Sequence, residues 1–311
     1  MQLCFLYPGQ GAQYPGMGKD LYEASSAVRD LFELASEACK LDTKTLLFDS
    51  DENELKATQN TQIAITLMNL AVKRYLSEHN IESAGAAGFS LGEWSAYVDA
   101  GVISEDEVFP IVMERGRLMA EASEELKAEG VSSGMAAVIG LPAKQVEEIL
   151  QRIDGAFPAN YNSVDQTVIS GNAEAIQGAA TQLKEAGARR VIPLKVSGPF
   201  HTPLLLRAGG GFENYLSQFT LRDPLKPLYS NVTGSRLKSS TDVRTNAVLQ
   251  ISSPVQWTCE EAEIEADGYA LCIEAGPGKV LTGLWKKAGK SAECRPTDTR
   301  EKIDALIGEL V

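Results

Sequence analysis

Between Gly88 and Gly92 the chain reads Gly-Phe-Ser-Leu-Gly, preceded by Ala86-Ala87 and followed by Glu93-Trp94-Ser95-Ala96-Tyr97. A serine set between glycines at the end of a small-residue run fits G-x-S-x-G, the sharp turn from a strand into a helix that exposes a nucleophilic hydroxyl. The glycines permit a turn too tight for a Cβ at either flank. The residue after the serine then offers its backbone N–H near the place where an oxyanion would form. In a chain with 27 glycines a five-residue pattern occurs by chance often enough that the rest of the constellation has to decide.

The pattern along the chain is that of one domain interrupted by another. Leu3 to Tyr7 is a short apolar strand, broken by Pro8-Gly9 and followed by a glycine-rich loop of the kind that forms sites. Helical periodicity follows at Ser25 to Cys39, Thr61 to Glu78 and Gly92 to Asp99, with Gly101 at a helix C-terminus. Ser104 and Glu107 make a capping box that opens a helix from Glu105 to about Glu125. From Gly134 the period changes. Gly134 to Gly140, Ala156 to Asn162, Thr167 to Ser170 and Arg189 to Leu194 read as strands, with helices at Ala143 to Ile153 and Ala173 to Ala186. That order, β-α-β-β-α-β, is the ferredoxin-like unit. The expected fold is therefore α/β: a large domain of residues 1–126 and 197–311, carrying a ferredoxin-like subdomain at 127–196, with a ligand cleft between them.

Charge and cysteine content exclude several classes of function. A net charge of -13 argues against nucleic acid and anionic lipid, both of which demand a basic surface. No apolar run approaches the length of a membrane span, and residues 1–18 lack the basic start and apolar stretch of a signal peptide, so a cytoplasmic protein is expected. Five scattered cysteines without a C-x-x-C pair point to neither a disulfide framework nor a zinc site.

A serine hydroxyl is a weak nucleophile until a neighbour takes its proton. The chain has two histidines. His79 ends a polar segment and reads as an exposed helix-end residue. His201 lies in the proline-bracketed loop Ser197-Gly198-Pro199-Phe200-His201-Thr202-Pro203 and is the candidate base. Asp99, Asp154 and Asp165 follow Ser90 in the order Ser, acid, His that an α/β-hydrolase would use, but none stands in a recognisable strand-end setting. The group that orients the histidine is left open between an acid and a backbone carbonyl. In the helix from Glu105, Arg115 shares a face with Ile111, Val112, Leu118 and Met119, whereas Arg117 shares one with Glu114 and Glu121 as a solvated ion pair. A guanidinium on a buried stripe needs an anion, either an acid from elsewhere in the fold or the carboxylate of a ligand. Serine, histidine and buried arginine together suggest transfer of an acidic acyl group.

Eight segments in order, YPGQGAQYPGMG, GFSLGEWSAY, RGRLM, ANYNSVDQTVISG, GPFHTPL, YSNVTG, SSPVQW and EAGPGKVL, resemble those of malonyl-CoA:acyl carrier protein transacylases over nearly the whole chain. The resemblance implies an α/β-hydrolase-like large domain and a ping-pong mechanism without metal or redox cofactor. A serine takes malonyl from coenzyme A and gives it to the phosphopantetheine thiol of an acyl carrier protein in fatty acid synthesis. Carried over position by position, Ser90 matches the nucleophile and His201 the base. Gln10 and Leu91 match the donors of the oxyanion hole. Arg115 matches the clamp on the malonyl carboxylate, and Gln250 the residue whose backbone carbonyl orients the histidine. Gln62, Asn160 and Asn162 match cleft positions, and Phe89 and Phe200 flank the nucleophile and base as substrate-binding candidates.

The chain departs from the family pattern at Phe89, where histidine is usual, and at Leu204 to Leu206 and Gly209 to Gly211, where the family runs polar and alanine-rich. These departures bear on acyl preference and rate. The alternatives are a hydrolase acting on carrier-bound acyl groups, a polyketide extender-unit acyltransferase, and a carrier-binding module without catalysis. An acidic carrier needs local positive charge, for which Arg189, Arg190 and Lys195 form one cluster and Lys286, Lys287 and Lys290 another. A monomer is expected.

Overall fold

Ten strands form two sheets in the computed structural model, which describes residues 1–310. The larger sheet holds β1 (Leu3–Tyr7), β2 (Gly85–Gly88), β7 (Leu228–Tyr229), β8 (Arg236–Leu237), β9 (Leu271–Glu274) and β10 (Glu293–Pro296), in the order β10-β9-β1-β2-β7-β8. All its pairings are parallel except the last, β7 with β8. A parallel sheet covered on both faces needs strands apolar on both sides, and every residue of β1, β2 and β9 is buried. The fully apolar sequence of β1, Leu-Cys-Phe-Leu-Tyr, places it near the middle.

The smaller sheet is wholly antiparallel. It comprises β3 (Ser133–Ile139), β4 (Ala156–Ser163), β5 (Gln166–Asn172) and β6 (Arg190–Leu194) in the order β4-β5-β3-β6. Helices Ala143–Leu150 and Ala173–Glu185 pack on it around a separate apolar core that includes Val138, Val146, Ile169 and Leu183. This is the ferredoxin-like order expected from the sequence. The small sheet is stitched to the segment that precedes the helix Trp257–Ala266: Tyr161 N–H donates to the Val255 carbonyl oxygen at 2.9 Å, and Val255 N–H to the Ala159 carbonyl oxygen at 2.9 Å.

Two long helices carry the site's side chains from beneath. Thr58–Glu78, three residues longer at its start than the periodicity indicates, is buried along most of its length. Glu105–Ala128 begins at the expected capping box, with the Ser104 N–H donating to Glu107 Oε2 at 2.9 Å, and runs three residues past the expected end. The helix predicted at 143–153 stops at Leu150, where the chain turns toward β4.

Candidate active site

The turn after β2 puts Ser90 in the left-handed region, at φ 51°. A Cβ on Gly88 would lie 2.1 Å from the carbonyl carbon of Gly92, and one on Gly92 would lie 1.9 Å from the Tyr7 carbonyl oxygen. Backbone occupies both places, so only glycine fits at either flank of the serine. The strained serine is held by Asn231, whose Oδ1 accepts from Ser90 N–H at 2.6 Å and whose Nδ2 donates to the Gly88 carbonyl at 2.7 Å and to Glu260 Oε1 at 2.8 Å.

Ser90 Oγ lies 2.7 Å from His201 Nε2. His201 Nδ1 faces two carbonyl oxygens, Gln250 at 2.9 Å and Ser253 at 3.2 Å. Carbonyls only accept, so Nδ1 carries the proton and Nε2 presents its lone pair to the serine. The orienting group is therefore backbone. Asp99 instead pairs with Lys226 at 3.1 Å, Asp165 pairs with Lys287, and Asp154 is exposed. Burial, and next the nearby Arg115 charge, push the His201 imidazole down to about 4, so it is neutral at physiological pH and able to take a proton.

Arg115 is completely buried. Its Nη1 donates to Gln62 Oε1 at 2.8 Å and its Nη2 to Gln250 Oε1 at 3.0 Å, while Nε has no partner. Among the described residues no carboxylate comes within ion-pair distance of it. Of the two partners the sequence left open, an internal acid is thus not in contact. The nearest acidic influence is Glu93, itself fully buried and pushed up to about 8 by desolvation, so that it is largely protonated at neutral pH. Burial lowers the guanidinium only to about 10, and Arg115 keeps its charge. The result is a desolvated cation met by neutral amides, a poor resting arrangement that an incoming carboxylate would complete.

A cavity of about 240 Å³ brings together Ser90, His201, Arg115, Gln10, Gln62, Phe89, Asn160, Asn162 and Phe200, and Val280 and Leu284 of the large domain close one side. Gln250 and Leu91 are not among its lining residues. Neither Gln10 N–H nor Leu91 N–H has a hydrogen-bond acceptor among the described residues. Asn162 Oδ1 is buried without a partner. Phe89 is half-buried, and its ring packs edge-on against Trp257 with centroids 5.4 Å apart, so it serves both the cavity wall and a core cluster. Of the two basic clusters, Lys287 and Lys290 are taken up by Asp165 and Glu265. Arg189, Arg190 and Lys195 meet no carboxylate at ion-pair distance among the described residues.

Sequence reasoning missed Asn231, Glu93 and Glu260, the polar layer under the serine. Asn231 and Glu93 lie inside segments already singled out. The available signal was a charged residue on the short helix Gly92–Asp99, all of whose residues are buried.

An α/β core with a serine at a strand-to-helix elbow, a neutral histidine 2.7 Å away and an unpaired buried arginine defines a serine acyl-transferring class. The acyl transferase domain family matches residues 4–308, and the chain belongs to that family. The malonyl CoA-acyl carrier protein transacylase of Bacillus subtilis (strain 168) is 36% identical over 99% of this chain and 97% of its own length. Among solved structures, MCAT from Streptococcus pneumoniae superposes with a TM-score of 0.93 at 35% identity, covering 99% of this chain and 100% of that one. A malonyl-transacylase solved with a type II PKS acyl-carrier protein superposes with a TM-score of 0.94 at 32% identity, covering 99% and 100%.

Proposed function

We propose that this enzyme transfers a malonyl group from malonyl-CoA, through an ester on Ser90, to the phosphopantetheine thiol of an acyl carrier protein, supplying fatty acid synthesis. The observation that carries the reading is Arg115: a fully buried guanidinium, held by two glutamine oxygens and facing the nucleophile's cavity, suits an acyl group that bears its own carboxylate. In the first half-reaction His201 Nε2 takes the Ser90 proton as Oγ attacks the thioester carbonyl. The oxygen that becomes negative accepts from Gln10 N–H and Leu91 N–H. The C–S bond then breaks, and His201 returns the proton to the departing thiol. In the second half-reaction the carrier's thiol gives its proton to His201 and attacks the ester, and Ser90 Oγ leaves with that proton. Gln62 and Gln250 hold Arg115 in place. Asn160, Asn162, Phe200 and Phe89 shape the walls around acyl group and pantetheine arm. No metal or redox group enters this scheme, coenzyme A being part of the substrate.

We also propose the division into residues 1–126 with 197–311 and 127–196, a monomeric state and a cytoplasmic setting. No helix among the described residues is long and apolar enough to cross a membrane. Mass spectrometry after brief exposure to malonyl-CoA tests the reading: a malonyl adduct on Ser90 that is discharged by holo carrier protein supports it. An adduct lost only to water would make the enzyme a hydrolase. A polyketide setting is the second reading, favoured by the likeness to the transacylase solved with a type II PKS carrier, and paired assays with the two kinds of carrier distinguish it.

A further inference from the structure

Beneath the cavity, Gln250 joins the nucleophile, the histidine and Arg115 through its side-chain amide and its backbone carbonyl. Gln250 Nε2 donates to the Ser90 carbonyl oxygen at 3.0 Å and to Glu93 Oε2, and its Oε1 accepts from Arg115 Nη2 at 3.0 Å. Its backbone carbonyl oxygen accepts from His201 Nδ1 at 2.9 Å. A primary amide can be turned over, exchanging its oxygen and nitrogen with little change in shape. Here the turned-over form would aim an N–H at the Arg115 guanidinium, donor against donor, and leave the clamp with Gln62 alone. Three acceptors oppose that flip: the Ser90 carbonyl, the Glu93 carboxyl and, at the longer distance of 3.4 Å, Asn231 Oδ1. Glu93 is 0% exposed and is itself fixed from the other side by the Tyr97 hydroxyl at 3.0 Å.

We propose that Glu93 is a positioning residue for acyl-group selection: it fixes the Gln250 amide in the orientation that offers Arg115 an oxygen, and so aims the guanidinium at the substrate's carboxylate. This rests on the malonyl-transfer reading. Glu93 sits on the helix that starts at the nucleophile turn, Gly92–Asp99, and Gln250 directly follows the helix Ser240–Leu249, so the contact also ties the nucleophile's helix to the clamp. The arrangement works because Glu93 does not neutralise Arg115. An amide stands between them, and burial holds the acid largely protonated at neutral pH. The groups that face Glu93 are Tyr97 on its own helix, Gln250 and Asn231 from the loops beyond, Arg115 from the helix Glu105–Ala128, and Glu260 from the helix Trp257–Ala266. Burial pushes the Tyr97 hydroxyl and the Glu260 carboxyl well above their ordinary ranges.

The test measures Ser90 acylation by malonyl-CoA and by acetyl-CoA in the parent, Glu93→Leu and Glu93→Gln. Malonylation of the parent checks the underlying reading separately, since its failure there would speak against malonyl transfer whatever the variants do. For Glu93→Leu the expected result is a malonyl-to-acetyl ratio of kcat/KM at least about tenfold lower, carried mainly by KM for malonyl-CoA, with acetyl loading within about threefold. Glu93→Gln, which keeps an acceptor oxygen for Gln250, should restore the ratio to within about threefold of the parent. An unchanged ratio in folded Glu93→Leu, or an equal loss of both acyl groups, overturns the proposal. Should Glu93→Leu fail to fold, the pH profile of Glu93→Gln decides. As pH rises through about 8 the parent's Glu93 becomes a carboxylate that competes with the substrate for Arg115. KM for malonyl-CoA should then rise in the parent, and stay flat in Glu93→Gln. An alkaline rise of equal size in both proteins would equally overturn it.

Discussion

Gln250 holds His201 through its backbone carbonyl oxygen, 2.9 Å from Nδ1, and with its side-chain oxygen it holds the guanidinium of Arg115. His201 and Arg115, the proposed base and carboxylate clamp, thus share one support, and the charge of Arg115 acts on His201. Arg115 is the second cause, after burial, of the depressed His201 value.

The pH dependence follows from that value. In the free enzyme kcat/KM should stay flat from neutral pH down to about 5 and fall only as the imidazole takes a proton near 4. A malonyl carboxylate on Arg115 cancels part of the cationic field, so the acid limb of kcat for malonyl should lie at higher pH than that for acetyl. Pre-steady-state acylation across pH 4 to 8 with both thioesters measures both. An acid limb of kcat/KM near the ordinary histidine value of about 6.5 would contradict the buried setting. Stability carries the same sign: the His201 contribution is whole above about pH 6.5 and is lost as pH falls toward 4, because the unfolded chain takes the proton first.

Ser90→Ala should abolish the acyl-enzyme, and His201→Ala should slow both half-reactions by at least about 10²-fold. Intact-mass analysis after malonyl-CoA exposure reads the first and rapid-quench kinetics the second. A persistent malonyl adduct on Ser90→Ala would move the nucleophile elsewhere.

Arg115→Ala should lose malonyl transfer and gain relative activity with acetyl-CoA. A desolvated bidentate ion pair carries roughly 2 to 5 kcal/mol, so the malonyl-to-acetyl ratio should fall by about 30-fold or more. Competition between the two thioesters measures it. An unchanged ratio would make Arg115 a structural residue only.

Phe89→Ala removes a ring that lines the cavity and packs on Trp257. Two effects should appear together: a stability loss of about 2 kcal/mol, smaller than for a fully buried phenylalanine, and faster hydrolysis of the malonyl ester with entry of methylmalonyl-CoA. Phe89→His should keep malonyl transfer within about tenfold of the parent, because one neutral hydrogen bond is worth only about 1 kcal/mol. Thermal melts and single-turnover hydrolysis separate packing from pocket. A destabilised variant with unchanged hydrolysis and selectivity would leave Phe89 a packing residue.

Three consecutive glycines, Gly209 to Gly211, lie inside the helix Leu206–Leu216, where each weakens the helix. A Cβ at Gly210 meets nothing within 4 Å, so Gly210→Ala should stabilise the fold by about 1 kcal/mol, roughly 2 °C in Tm. Calorimetry checks it, and a lower Tm would show that the helix needs the glycine for another reason.

Carrier docking should depend on Arg189, Arg190 and Lys195 rather than on the second cluster, in which Lys287 and Lys290 are already paired with acids. Arg190→Glu should raise KM for the carrier several-fold and leave malonyl-CoA loading intact. Equal effects on both half-reactions would point away from docking.

By itself the sequence determined those features that local chemistry decides. Gly88 is demanded by backbone crowding within the turn itself, from Gly92 and Glu93, whereas the Tyr7 carbonyl that demands glycine at 92 is brought there by the sheet. The strand and helix order of the small subdomain follows from periodicity, the start of the Arg115 helix from its capping box, and the buried face of Arg115 from helical spacing. Only the tertiary structure decided what meets those groups. Gln62 and Gln250 reach Arg115 from positions 53 and 135 residues away in the chain, and Asn231 reaches Ser90 from 141. The histidine's orienting group is a backbone carbonyl, which has no residue type to recognise. Glu93 and Glu260 are buried only because segments distant in the chain cover them. A carboxyl's protonation depends on the dielectric and hydrogen bonds that distant segments supply, and no local pattern encodes these.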